Sequence, residues 1–191
     1  AEIRAPAGTT YGVSAFQLQF GSHEVLTPGD EVDVLIAMNP AALAVNLKDL
    51  RPGGLAVVDI GAFGERNLLK AGFQANPLED DTLAPFQVLK LDISRLTLEA
   101  VKEFGLGQKD ALRCRNMWAL GVMLWMYGRD RAATLDWLAK KFANNPKVAA
   151  ANVAAVNAGH DRAVRGDPDV AAPTHGRPCL HCEALAARFR K

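Results

Sequence analysis

Few residues in this chain have the type and spacing to do chemistry. The most suggestive group lies near its end, in "PCLHC", a C-x-x-C formed by Cys179 and Cys182 with His181 inside it and His175 nearby. Zinc takes four ligands, and structural sites usually combine two such pairs at set spacing. One pair with two scattered histidines is a weak metal signal, and no metal ligand is assigned. The same two cysteines make a poor redox dithiol, because no thioredoxin-like strand–helix–strand surrounds them. Cys114, in "DALRCRNMWALG", has Asp110 and Trp118 one helical turn away. It reads as a buried structural thiol rather than a nucleophile.

Two further stretches could face a ligand. In "IAMNPAAL", Asn39 ends an apolar run and starts a helix, so its side chain and the nearby amides could line a crevice. The plainer reading is a helix cap, with Pro40 in the first turn. In "AEIRAPAG", Glu2 and Arg4 stand beside a Pro/Gly loop, where Arg4 could hold an anion or a partner subunit. A solvated ion pair is an equal reading and contributes little energy. Asn39 and Arg4 are therefore the candidate cofactor-binding residues. No Ser-His-Asp, HExxH or GxGxxG pattern exists. "RPGG" precedes a strand rather than opening a helix and reads as a turn, and "LEDD" (Leu78 to Asp81) reads as a solvated loop. No catalytic residue can be named.

The elements that would position these residues alternate in kind. "VSAFQLQF" has period 2, with Ser14, Phe16, Leu18 and Phe20 on one side, which predicts a strand with one buried face. "DVLIAM" (Asp33 to Met38), "LAVVD" (Leu55 to Asp59) and "FQVLKLDI" (Phe86 to Ile93) are short continuous apolar runs, as central parallel strands require. Helical stretches, "NPAALAVNLKDL" and "AFGERNLLKAGF", separate them. This strand–helix–strand rhythm implies right-handed crossovers and a mainly parallel sheet. From about Thr97, taken as a helix cap, the chain turns helical. "DALRCRNMWALGVMLWMYG" is apolar nearly all round and should be buried within the domain or an assembly. "RAATLDWLAKKFA" is amphipathic, and "NPKVAAANVAAVNAGH" is an Ala-rich helix opened by Asn145-Pro146.

After Gly159 the character changes. That segment holds three of the four His, two of the three Cys, and six Lys and Arg against four Asp and Glu. The expected organisation is a folded domain over 1–159 and a disordered tail over 160–191. The expected fold class is α/β: a Rossmann-like three-layer domain with a mainly parallel sheet and a helical C-terminal part.

Composition bounds the partners. The 191 residues are 49% hydrophobic and 23% charged, with a net charge of +1. That is a globular composition, and it offers no electrostatic reason to expect nucleic acid or an anionic membrane. No apolar run reaches the roughly 20 residues that span a bilayer. Three cysteines make no disulfide framework, so a reducing cytoplasm is the expected compartment.

Several blocks, in order, carry a resemblance. "AEIRAPAGTTYGVSAFQLQFGS", "VLTPGDEVDVLIAMNPAAL", "DLRPGG", "ERNLLKAGFQANPLEDD", "KDALRCRNMWALGVMLWMYGR" and "KFANNPKVAAANVAAVNAG" resemble the gamma domain of 2-oxoacid:acceptor oxidoreductases. The nearest form is the one fused at the N-terminus of the alpha subunit in two-subunit 2-oxoglutarate:ferredoxin oxidoreductases. The match runs from about Ala1 to Gly159. It implies a reaction in which a 2-oxoacid is decarboxylated on thiamine diphosphate, the acyl group passes to coenzyme A, and electrons leave through an iron–sulfur cluster to ferredoxin. It also implies that the thiamine diphosphate and magnesium site is built by the beta subunit and the alpha-type pyrimidine-binding domain. The gamma domain would support the assembly and aid coenzyme A access, binding no cofactor of its own. Family members carry a first strand, a Gly-rich loop and a helix before "AEIR", so the chain is expected to be a fragment whose first βα unit is missing, inactive alone. Cys179, His181 and Cys182 match nothing in the family pattern. The competing hypothesis is a stand-alone Rossmann-like binding module with a zinc-binding C-x-x-C tail, which stoichiometric zinc would support.

Overall fold

A computed structural model describes residues 13–19 and 30–164. These divide into two compact units, one up to Lys90 and one from Leu91.

The first unit is built on a three-stranded parallel sheet in the order β1-β2-β3, with β1 at Val32–Ala37, β2 at Leu50–Asp59 and β3 at Gln87–Leu91. Helix α1 (Pro40–Asn46) connects β1 to β2, and α2 (Glu65–Lys70) lies between β2 and β3. The two helices touch each other, so both crossovers lie on one face of the sheet. That face holds a core of Ala37 and Val58 from the strands, Leu43 from α1, and Ala62, Phe63 and Leu83 from the connections, with Leu35, Leu47, Leu68 and Val88 packed against it. Every residue of β2 from Leu55 to Asp59 is buried. This is why "LAVVD" reads as a continuous apolar run: a central parallel strand has no solvent face to alternate toward. In β1, at the edge of the sheet formed by the described residues, only Ala37 is fully buried.

Two local expectations give way here. The "RPGG" segment is part of β2 rather than a turn outside it. Val32 pairs with Leu50 but Val34 with Leu55, so β2 carries extra residues at this point and bulges. Gly53 takes φ +75° there, which a side chain would strain, and its N–H donates to Pro85 O at 2.9 Å. Gly-Gly thus marks a bulge, a reading open to any glycine pair next to a strand. Residues 13–19 form no strand: Val13 is buried, but Ser14 to Gln19 are exposed, Phe16 by 70% and Leu18 by 67%. Alternation describes the two faces of a strand, whereas the strand itself needs a hydrogen-bonded neighbour, which periodicity does not supply.

The second unit is helical: α3 (Ile93–Val101), α4 (Gln108–Leu112), α5 (Arg115–Met126), α6 (Ala132–Lys141) and α7 (Pro146–Val164). Helix α3 begins at Asp92, whose Oδ1 accepts from Arg95 N at 3.0 Å, not at Thr97. Thr97 is instead buried inside the helix on the face of Ile93, Leu96 and Val101. The segment read as one long helix breaks at Arg113–Cys114, where Arg115 Nε caps the preceding turn through Leu112 O at 3.1 Å. Helix α7 starts at Asn145-Pro146, with Asn145 Oδ1 accepting from Val148 N at 3.3 Å, and continues through Gly159 to Val164.

Within α7, Gly159 has a packing role. A Cβ there would stand 2.0 Å from Trp118 O, and one at Gly121 would stand 2.1 Å from Val156 O. Helices α5 and α7 therefore meet backbone to backbone, each glycine making room for the other helix. Around the crossing, Ala151, Ala155 and Val156 of α7 and Trp118 and Val122 of α5 are buried. Ion pairs fasten the rim: Arg162 to Glu99 at 3.2 Å, and Arg131 to Asp161 at 3.1 Å. Among the described residues, two buried polar atoms of this unit, Thr97 Oγ1 and Trp118 Nε1, have no hydrogen-bond partner.

Candidate functional site

Open parallel sheets take ligands at the carboxyl ends of their strands. In the first unit that edge is formed by the exits of β1 and β2. The register pairs Ala37 with Val58, so Asn39 and Ile60 stand two residues beyond a paired position. Asn39 has extended backbone (φ −165°, ψ 165°), and its Oδ1 accepts from Ala42 N at 2.8 Å. It is an N-cap, the plainer of the two readings, and its carbonyl also accepts from Leu43 N at 3.2 Å. The Oδ1 is thereby committed to α1. Pro40 follows at the first position of the helix, where its missing N–H costs nothing.

Beside it, Asp59 ends β2 with no solvent exposure. A buried carboxylate is costly unless it is engaged, and Asp59 is engaged within the structure. Sequence reasoning passed over it as the last letter of "LAVVD". The available signal was an acid closing an otherwise apolar strand. Directly after it, Ile60 and Gly61 are exposed, while Ala62 and Phe63 turn back into the core. Asn67 Nδ2 donates to Ala62 O at 2.8 Å and fixes this connection against α2. The edge thus offers a cap amide, a buried acid and an exposed Ile-Gly step. Among the described residues it holds neither a nucleophile–base pair nor a phosphate cradle.

The other sequence candidates fall elsewhere. Glu2 and Arg4 lie outside the described residues, as do His175, Cys179, His181 and Cys182. Cys114 is 1% exposed in the second unit, with its Sγ 3.9 Å from Asp110 O. Burial, and secondarily the Asp110 charge, raise its pKa, so it stays a thiol at neutral pH. In the "LEDD" loop, hydrogen bonding from the Thr82 side chain, and then from Thr82 N to Asp80 Oδ1 at 2.8 Å, lowers the Asp80 pKa, and the loop residues from Glu79 to Asp81 are exposed as expected of a solvated turn.

Iron–sulfur clusters need thiolates, and the magnesium of a thiamine diphosphate site needs converging oxygens. The one cysteine described is a buried thiol of raised pKa, and among the described residues no three of His, Cys, Asp and Glu converge on a common point. The described part of the chain does not fit either group. Among the described residues, no helix is long and apolar enough to cross a membrane.

Residues 4–162 match the family described as pyruvate ferredoxin/flavodoxin oxidoreductase. The chain belongs to that family. Within it, the chain is 48% identical over 159 residues to the 2-oxoglutarate oxidoreductase subunit KorA of Mycobacterium tuberculosis (strain ATCC 25618 / H37Rv). The aligned region is 83% of this chain but 24% of that relative, so the chain spans about a quarter of the length of the curated protein it matches. No solved structure matches it. The match to this oxidoreductase family takes in both units: the sheet edge with Asn39 and Asp59, and the α5–α7 crossing almost to the end of α7.

Proposed function

We propose that this chain is the gamma-type portion of a 2-oxoacid:ferredoxin oxidoreductase acting on 2-oxoglutarate, and that its own work is structural. The observation that carries the reading is the 48% identity to a 2-oxoglutarate oxidoreductase subunit across most of the chain. The complete enzyme would convert a 2-oxoacid and coenzyme A to an acyl-CoA and carbon dioxide, passing a pair of electrons to ferredoxin. Thiamine diphosphate with magnesium and an iron–sulfur cluster would supply that chemistry from other parts of the assembly.

The partners on this reading are the thiamine-binding beta subunit and the pyrimidine-binding domain of the alpha subunit, in the cytoplasm. Coenzyme A would approach along the sheet edge of Asn39, aided by Arg4. Support for Asn39 comes from its position at the exit of β1 beside the β2 exit; support for Arg4 comes from its charge alone.

The assembly role is tested by gel filtration of the chain with the beta subunit and the pyrimidine-binding domain. Co-elution is expected. Separate elution, with the helical circular dichroism of the chain intact, would remove the reading. The coenzyme A role is tested in the assembled enzyme with Asn39→Ala and Arg4→Ala. A severalfold higher KM for coenzyme A at unchanged kcat is expected, and an unchanged KM in both variants would refute it.

A further inference from the structure

We draw no further inference here: the strongest candidate, the exposed apolar pair Phe16 and Leu18 in segment 13–19, carries nothing because nothing in the structure shows what covers it.

Discussion

The sheet unit and the helical unit reach their cores by opposite means. In the first, large side chains fill the space between strands and crossover helices: Leu43 is fully buried among Val58, Phe63 and Leu83. In the second, the central contact is made by removing side chains, so that α5 and α7 touch through Gly121 and Gly159. A core of the first kind should tolerate shrinkage badly and a core of the second kind should tolerate growth badly. The difference separates two architectural solutions within what we read as a supporting part of an enzyme.

The comparison can be broken by substitution. Leu43→Ala should have the largest effect, about 3 kcal/mol lost, because it leaves a cavity between α1 and the sheet. Denaturant titration measures it, and a loss below about 1 kcal/mol would mean that the helix collapses onto the gap. In the helical unit, Gly159→Ala tests growth. Alanine favours a helix by about 1 kcal/mol over glycine. The new methyl, however, would sit 2.0 Å from Trp118 O, and relieving that contact requires two helices to separate. Overpacking of this kind costs roughly 1–3 kcal/mol and is worse against backbone, so the net expectation is a loss of about 2 kcal/mol. A stabilised Gly159→Ala chain would show that the crossing is looser than described.

Asn39→Ala sharpens the sheet side. Loss of one cap bond should cost about 1 kcal/mol, whereas Asn39→Asp should recover most of it, because a carboxylate can accept from Ala42 N. Equal losses in both variants would show that Asn39 does more than cap. Cys114 gives the smallest effect and a pH dependence. Its pKa is raised in the folded chain, so the folded form holds the proton more tightly than the unfolded one. The resulting stability is fully present below the unfolded thiol pKa and fades as pH rises through the folded one. In a Cys179→Ser, Cys182→Ser background, stability should therefore decline with pH in the alkaline range, and Cys114→Ala should flatten that decline. A decline of the same slope in both chains would assign it to other groups.

The sheet was legible in the sequence because its strands are short apolar runs bounded by turn and cap residues. Asn39-Pro40 announced α1 through local chemistry, and local chemistry survives folding. Elements that depend on a distant partner were harder to read. The alternation of Phe16 and Leu18 with Gln17 and Gln19 has the period of a strand, but a period does not by itself make a sheet ladder. The start of α3 moved from Thr97 to Asp92 because Thr97 is buried on the apolar face of that helix, where its hydroxyl mimics a valine methyl in the pattern. The packing role of Gly159 was invisible because sequence cannot show that Trp118 O lies against it. At the candidate site, Asn39 was found as a strand-exit residue with a cap alternative. Asp59 was missed because its significance is its burial, which a terminal acid in a strand conceals.

On the function proposed above, this chain contributes support, and no chemistry of its own, to a 2-oxoacid oxidoreductase. The measurement that tests it most directly is viologen reduction with 2-oxoglutarate and coenzyme A, run on the chain alone and on the chain assembled with the pyrimidine-binding domain, the beta subunit and their cofactors. No reduction is expected from the chain alone, and turnover dependent on both 2-oxoglutarate and coenzyme A is expected from the assembly. Reduction by the chain alone, or a folded assembly that turns over no 2-oxoacid, would contradict it.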